Sequence, residues 1–246
     1  LLVVACSFFL PLMLFSRKKT AIKAWVSLQH LNIKYNFHTI DYAYPIVFIG
    51  IFTFMLSSLD QFFLNYYGYS QLPSYIANYT IAEKPVLFVL SIISFAFIPV
   101  MFKKYNKLEQ GTFIDIFKGV LVFVLLSILV VLFLFLYSEE MTVILSKSEF
   151  TDTSWIIPYV ALGSIIMGIN SLISDILTVA YKTKILLLTY GFGFFVNFIL
   201  NLLFIKKYGV EGAVFTTVCS YILMLALTIF FVAREYRCIQ VGRDDV

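Results

Sequence analysis

The chain has 246 residues, of which 61% are apolar and only 13% charged, and its mean hydropathy is +0.93. A soluble domain cannot carry so little charge and so much apolar surface, so that class is excluded at the outset. The net charge of +4 lies between long apolar runs, where it reports loop orientation rather than affinity for nucleic acid.

Residues 1–15 are apolar but short, with Pro11 near their end, and read as the last turns of a spanning helix. No initiator Met and no charged region precede this run, so no signal peptide is expected and the sequence reads as the C-terminal portion of a longer one. Residues 16–43 follow as a linker. Arg17, Lys18, Lys19, Lys23 and Lys34 mark the cytoplasmic side, and Ala24, Trp25, Leu28 and Leu31 fall at the spacing of an amphipathic surface helix. A second span is predicted over 45–66, with Pro45 in its first turn and Ser57, Ser58, Asp60, Gln61 and Asn65 in its outer half. After an uncharged turn, a third span over 74–102 contains Asn78, Thr80, Glu83, Lys84 and Pro85, and Lys103, Lys104 and Lys107 bring the chain back inside.

The fourth span, 113–137, is the most lipid-like, with Asp115 and Lys118 as an interfacial pair at its start. Residues 138–154 set Glu139, Glu140, Glu149 and Asp152 against a single Lys147 and read as an external loop. The fifth span, 155–181, carries Gly163, Gly168, Asn170, Ser171, Ser174 and Asp175, small or polar residues that let helices approach closely. An internal turn at 182–184 leads into a hairpin of two spans, 185–205 and 213–232, around a glycine-bearing turn. Asn197 and Asn201 are four residues apart on one face of the first of these. Arg234, Arg237 and Arg243 place the tail inside. Lys206 and Lys207 run against the pattern on an external turn, where their long stems let the charges reach water or phosphate. The expectation is an all-α membrane protein with about seven transmembrane helices: 1–15 the end of one, 16–43 a linker, 44–234 a six-helix lobe, 235–246 a tail.

Asp60, Glu83 and Lys84 are the sharpest constellation. At about 1.5 Å per residue, Asp60 and Lys84 fall at comparable depths in neighbouring antiparallel spans, so an ion pair between them is feasible. Two readings stand side by side: a hydrated cavity in which a carboxylate handles protons or sodium, and a structural pair that locks the hairpin. Asn197 and Asn201, with Tyr190 on nearly the same face, suit a hydroxyl-rich ligand through hydrogen bonds and ring stacking; the alternative is interhelical bonding worth about 1 kcal/mol each. Asn170 is weighed in the same way, and Asp175 lies close enough to the inner surface to be solvated. His30 and His38 have no ligand partner at useful spacing, and Cys6, Cys219 and Cys238 are expected as free thiols. No nucleophile–base set, metal-ligand spacing or phosphate-cradling loop is present, so neither an enzyme nor a cofactor or metal is expected.

Three stretches carry a family resemblance. They are Ser57-Ser58-Leu59-Asp60-Gln61 through Tyr67-Gly68, Ile98-Pro99-Val100-Met101-Phe102-Lys103-Lys104-Tyr105, and Val196-Asn197 … Asn201 followed by Lys207-Tyr208-Gly209-Val210-Glu211-Gly212-Ala213. In these the chain resembles the Wzx-type O-antigen or polysaccharide flippases of the multidrug/oligosaccharidyl-lipid/polysaccharide exporter superfamily, over about residues 1–237. The resemblance implies the C-terminal lobe of a two-lobe MATE-like carrier in a bacterial inner membrane, together with the end of the preceding helix. It further implies a polyprenyl-pyrophosphate-linked oligosaccharide as substrate, with Lys84 attracting the pyrophosphate, and H+ or Na+ as coupling ion. Membrane lipids and polysaccharide assembly proteins are the implied partners. Gln61 departs from the family, whose members often have a basic residue after the Asp. The other readings are a multidrug/cation antiporter of the same superfamily, a membrane glycan polymerase or acyltransferase, and a scaffold. An enzyme of that kind needs acid–base groups near a leaflet, and residues 138–154 hold no His or Arg.

Overall fold

The computed structural model describes residues 37–106 and 112–244, and the predicted first span and most of the linker lie outside them. The chain divides into two units, Leu1–Asp41 and Tyr42–Val246, and all that follows concerns the second. Among the described residues every element is helical: α1 (Phe37–Tyr66), α2 (Leu72–Asn106), α3 (Thr112–Leu136), α4 (Ser138–Leu145), a 3-10 turn (Ser148–Thr153), α5 (Ile156–Val179) and α6 (Thr183–Asp244). Five of them contain segments long and apolar enough to cross a membrane: Tyr42–Tyr66, Leu72–Lys103, Ile116–Leu136, Ile156–Val179 and Thr183–Glu235. In hydrocarbon only a helix or a closed barrel satisfies its own backbone, which is why such sequences fold this way.

The last of these segments has 53 residues. As a straight rod it would measure about 80 Å, far more than a hydrocarbon core of about 30 Å. Instead it breaks at Gly209, whose φ of 56° and ψ of −127° match the first central position of a type II′ turn, a conformation that favours glycine. The side chains confirm the reversal. The Asn197 amide donates to Ser220, 23 residues away, at 3.2 Å. Thr216 donates to the Asn201 carbonyl across 15 residues. On a straight helix those pairs would be about 35 Å and 22 Å apart. Two antiparallel arms, 183–208 and 210–244, therefore lie side by side.

At the centre of the bundle is α5, packed against α2, α3 and both arms of α6. Buried residues make up 56% of its most apolar stretch, against 17–39% for the other four segments, which makes it the helix enclosed by the rest. Gly168 lets α3 come close: a Cβ there would lie 2.3 Å from the ring of Phe123. The outward faces of α2 and α3 are apolar and exposed, with Phe95, Phe117, Leu129 and Phe135 all pointing outward as lipid contact requires. Along α1, aromatic rings make the contact with the first arm of α6: Phe52 stacks on Phe194 and Phe63 meets Phe198 edge-on.

Two local expectations change. Pro45 is not in a first turn, because α1 starts at Phe37 and Pro45 lies inside it. A proline there removes one helical hydrogen bond, which spanning helices tolerate when neighbouring groups take up the freed carbonyl. Residues 138–154 form not an open loop but α4 and the 3-10 turn, held down by Asn78 of α2. Its amide donates to the Phe150 carbonyl and to Thr153, each at 2.8 Å, and its own carbonyl accepts from Thr142 at 2.7 Å. With every polar group of Asn78 engaged, the segment is fixed across the start of α2.

Candidate functional site

Asp60 is fully buried near the end of α1. The hydroxyl of Tyr75, at the start of α2, donates to its Oδ2, and the backbone N–H of Gln61 donates to Oδ1 at 2.7 Å. One turn further along α2, Tyr79 packs its ring 5.7 Å from that of Tyr75. The Tyr79 hydroxyl is next to that of Tyr221, which comes from the second arm of α6. Glu83, a further turn on, is near enough for its charge to act on Asp60 and on all three tyrosines. The result is an interior column of one carboxylate and three phenols, contributed by α1, α2 and α6, with a second carboxylate at its foot. Such a column can hold a proton or a small cation at Asp60, which has no ion-pair partner among the described residues.

The Asp60–Lys84 pair that the spacing makes feasible is not formed. Lys84 pairs instead with its neighbour Glu83 at 2.7 Å, the lysine side chain 64% exposed and the glutamate 14%. The reason is register. Because Tyr75 reaches Asp60, Lys84 lies nine residues further along α2, about 14 Å away along the helix axis. It opens onto a groove on the outer face of α2, lined by Ile76, Thr80, Pro85 and Leu145.

Asn197 and Asn201 face the second arm of α6. Asn201 donates to Asn197 at 3.0 Å, Asn197 to Ser220, and Thr216 to Asn201, while Ser220 also donates to the Thr216 carbonyl at 2.6 Å. All four residues are buried, and their bonds run along the hairpin rather than out into a space. The geometry favours interhelical bonding for both asparagines. Asn170 of α5 and Tyr190 of the first arm come together elsewhere: the Tyr190 hydroxyl approaches Asn170 and Ser174 and feels the charge of Asp175.

The sequence alone did not single out Tyr75, Tyr79 and Tyr221. A signal was available for the first two, since Ser74, Tyr75, Asn78 and Tyr79 form a polar and aromatic face at helical spacing inside an apolar run. Nothing local marks Tyr221, whose role depends on the hairpin bringing it back to α2. Among the described residues, no three His, Cys, Asp or Glu side chains gather as a metal site, and Cys219 is a free thiol. Compared with family models, curated proteins and solved structures, the chain matches none.

Proposed function

We propose that this chain is the substrate-handling C-terminal lobe of a flippase that moves a polyprenyl-pyrophosphate-linked oligosaccharide across a bacterial inner membrane by alternating access. The single observation that carries the reading is Asp60, a carboxylate with no exposure and, among the described residues, no cationic partner inside an apolar helical bundle. Keeping such a group costs stability that a purely structural membrane protein has no reason to spend, and intramembrane carboxylates serve chiefly in ion and substrate pathways. On this reading Asp60 is the coupling group for H+ or Na+, in the column with Tyr75, Tyr79 and Glu83. Lys84 on its open groove supplies the positive charge for the pyrophosphate. The resemblance in the Asp60 hairpin and in the Asn197-to-Ala213 hairpin supplies the substrate class. Six crossings, counting both arms of α6, make one lobe, and a second lobe completes the path at the interface between them.

The test is leaflet transfer. The protein made from its complete reading frame is reconstituted in vesicles with fluorescent polyprenyl-pyrophosphate glycan, and label reaching the opposite leaflet is followed with a membrane-impermeant quencher. Transfer is expected with the native sequence and a large fall with Lys84→Ala at equal protein content. Failure to transfer any of a panel of glycans, with efflux of organic cations instead, would establish the antiporter reading in its place.

A further inference from the structure

α4 differs from the other connections of the bundle in what it leaves uncovered. Thr142, its buried residue, faces α2, where its hydroxyl donates to the Asn78 carbonyl at 2.7 Å. At 3.6 residues per turn, Glu139 and Glu140 lie about 110° to one side of Thr142, and Ile144 and Leu145 about 110° to the other. The glutamates border Asp152, whereas Leu145 lines the groove that runs along α2 past Thr80 to Lys84 and Pro85. Ile144 is 70% exposed and Leu145 64%, so nothing among the described residues covers them.

The depth of α4 follows from α3. The apolar span of α3, Ile116–Leu136, is about 32 Å long and so just crosses a hydrocarbon core of about 30 Å. Its end, and α4 directly after it, therefore lie at one boundary of that core. Tyr137 is exposed there, and Trp155 and Tyr159 meet edge-on at the exposed start of α5, the composition of an interfacial aromatic belt. Register agrees. Phe97 packs its ring against Gly119, which sets Leu136 level with Thr80, and α2 continues about 12 Å past that level to Leu72. Thus α4 lies beside α2 at the boundary rather than on the outer tip of the bundle.

We propose that α4 is an interfacial helix whose Ile144 and Leu145 insert among the acyl chains of the adjoining leaflet, while Glu139 and Glu140 remain in water. Two features select lipid over a protein partner. The aliphatic edge continues the outward face of α3, where Leu132, Phe135 and Leu136 are exposed toward lipid. It is also only one turn long, far short of the area that a specific protein interface buries. Acyl chains take up such an edge without an ordered partner, as they do for amphipathic helices lying in the plane of a membrane. Through the Thr142–Asn78 bond this contact sets the depth at which the start of α2, and with it Tyr75, is held. The assignment rests on the spans and not on the flippase reading.

The experiment is fluorescence quenching from the two sides of the boundary. Single cysteines at Ile144, Leu145, Glu140 and Phe135 in a cysteine-free full chain are labelled with a small fluorophore. Each protein is reconstituted, without glycan, in phosphatidylethanolamine–phosphatidylglycerol vesicles. All four positions are exposed, so the substitutions leave the packing of the bundle intact. Quenching is measured with iodide in the water and with phospholipid carrying a nitroxide near the head of its acyl chain. Probes at Ile144 and Leu145 are expected to be quenched by the nitroxide lipid as strongly as the one at Phe135 on the outward face of α3. Iodide should quench them several-fold less than the probe at Glu140. Iodide quenching at Ile144 and Leu145 equal to that at Glu140 overturns the proposal, since α4 would then lie in water. Shielding of both from iodide and nitroxide lipid alike also overturns it, since protein would then cover the edge. With no glycan present, neither result depends on whether the chain transfers one.

Discussion

At the scale of single residues, the cost of taking a carboxylate out of water decides what must surround it. Asp60 accepts hydrogen bonds from the Tyr75 hydroxyl and the Gln61 N–H. Tyr75→Phe keeps the ring and removes one donor from a buried, charge-bearing acceptor, so it should destabilise the protein by about 1–3 kcal/mol. Adding Asp60→Asn should restore part of that loss, since an amide is less costly to leave half-satisfied than a carboxylate. Denaturant unfolding of the purified variants in detergent measures both; equal stability of native and Tyr75→Phe protein would mean that the phenol does not support Asp60. Residues of this kind are legible in the sequence because polar atoms stand out in an apolar run: Asp60, Asn170, Tyr190, Asn197 and Asn201 are all recognisable that way. Their partners are not. Comparable depth makes an Asp60–Lys84 pair feasible, and only the bond from Tyr75 reveals the register that sets them apart.

Elements were more legible than partners, because length and hydropathy alone determine which segments can cross a membrane. The spans over α1, α2, α3 and α5 and the hairpin of α6 all follow from runs of apolar residues between charges. The short helices at 138–153 are not legible in the sequence, since their acidic composition resembles a solvated loop and only the bonds from Asn78 hold them in place. Within the hairpin, Gly209 has a backbone conformation that an L-residue adopts only with strain, and a Cβ there would stand 2.8 Å from the ring of Tyr69. The same tyrosine donates to the Ile205 carbonyl at 3.0 Å, one of the acceptors the broken helix leaves open. Gly209→Val is therefore expected to cost at least about 1–2 kcal/mol from backbone strain alone, and more if Tyr69 is displaced. Tyr69→Ala in the same chain relieves the clash but not the strain. Thermal unfolding of the two variants separates these contributions, and a native-like midpoint for Gly209→Val would show that the turn tolerates a side chain.

At the scale of the whole molecule, hydrogen bonds tie the turns of one end together. Tyr69, in the turn between α1 and α2, reaches the Gly209 turn of α6, and Asn78, near the start of α2, holds the acidic segment formed by α4 and the 3-10 turn. Three connections distant in sequence therefore share one end of the bundle. At the other end Lys182 of the α5–α6 turn pairs with Glu235 near the end of the second arm. The end with Gly68 and Gly209 carries Glu139, Glu140, Glu149, Asp152 and Glu211 against Lys147, Lys206 and Lys207, whereas Lys103, Lys182, Lys184 and Arg234 gather at the other. Since basic residues beside spans are retained on the cytoplasmic side, the acidic end should face outward, with Lys206 and Lys207 accepted there because their turn is fixed by Tyr69. Single cysteines introduced at Gln71, Glu140 and Lys207 in a cysteine-free background should thus react with a membrane-impermeant maleimide in intact cells. Cysteines at Lys103 and Lys182 should react only after the membrane is opened. The decisive position is Lys207. If it is labelled together with Lys103 rather than with Gln71, the reversal at Gly209 does not carry the chain back across the membrane, and α6 must be redrawn as something other than a pair of crossings.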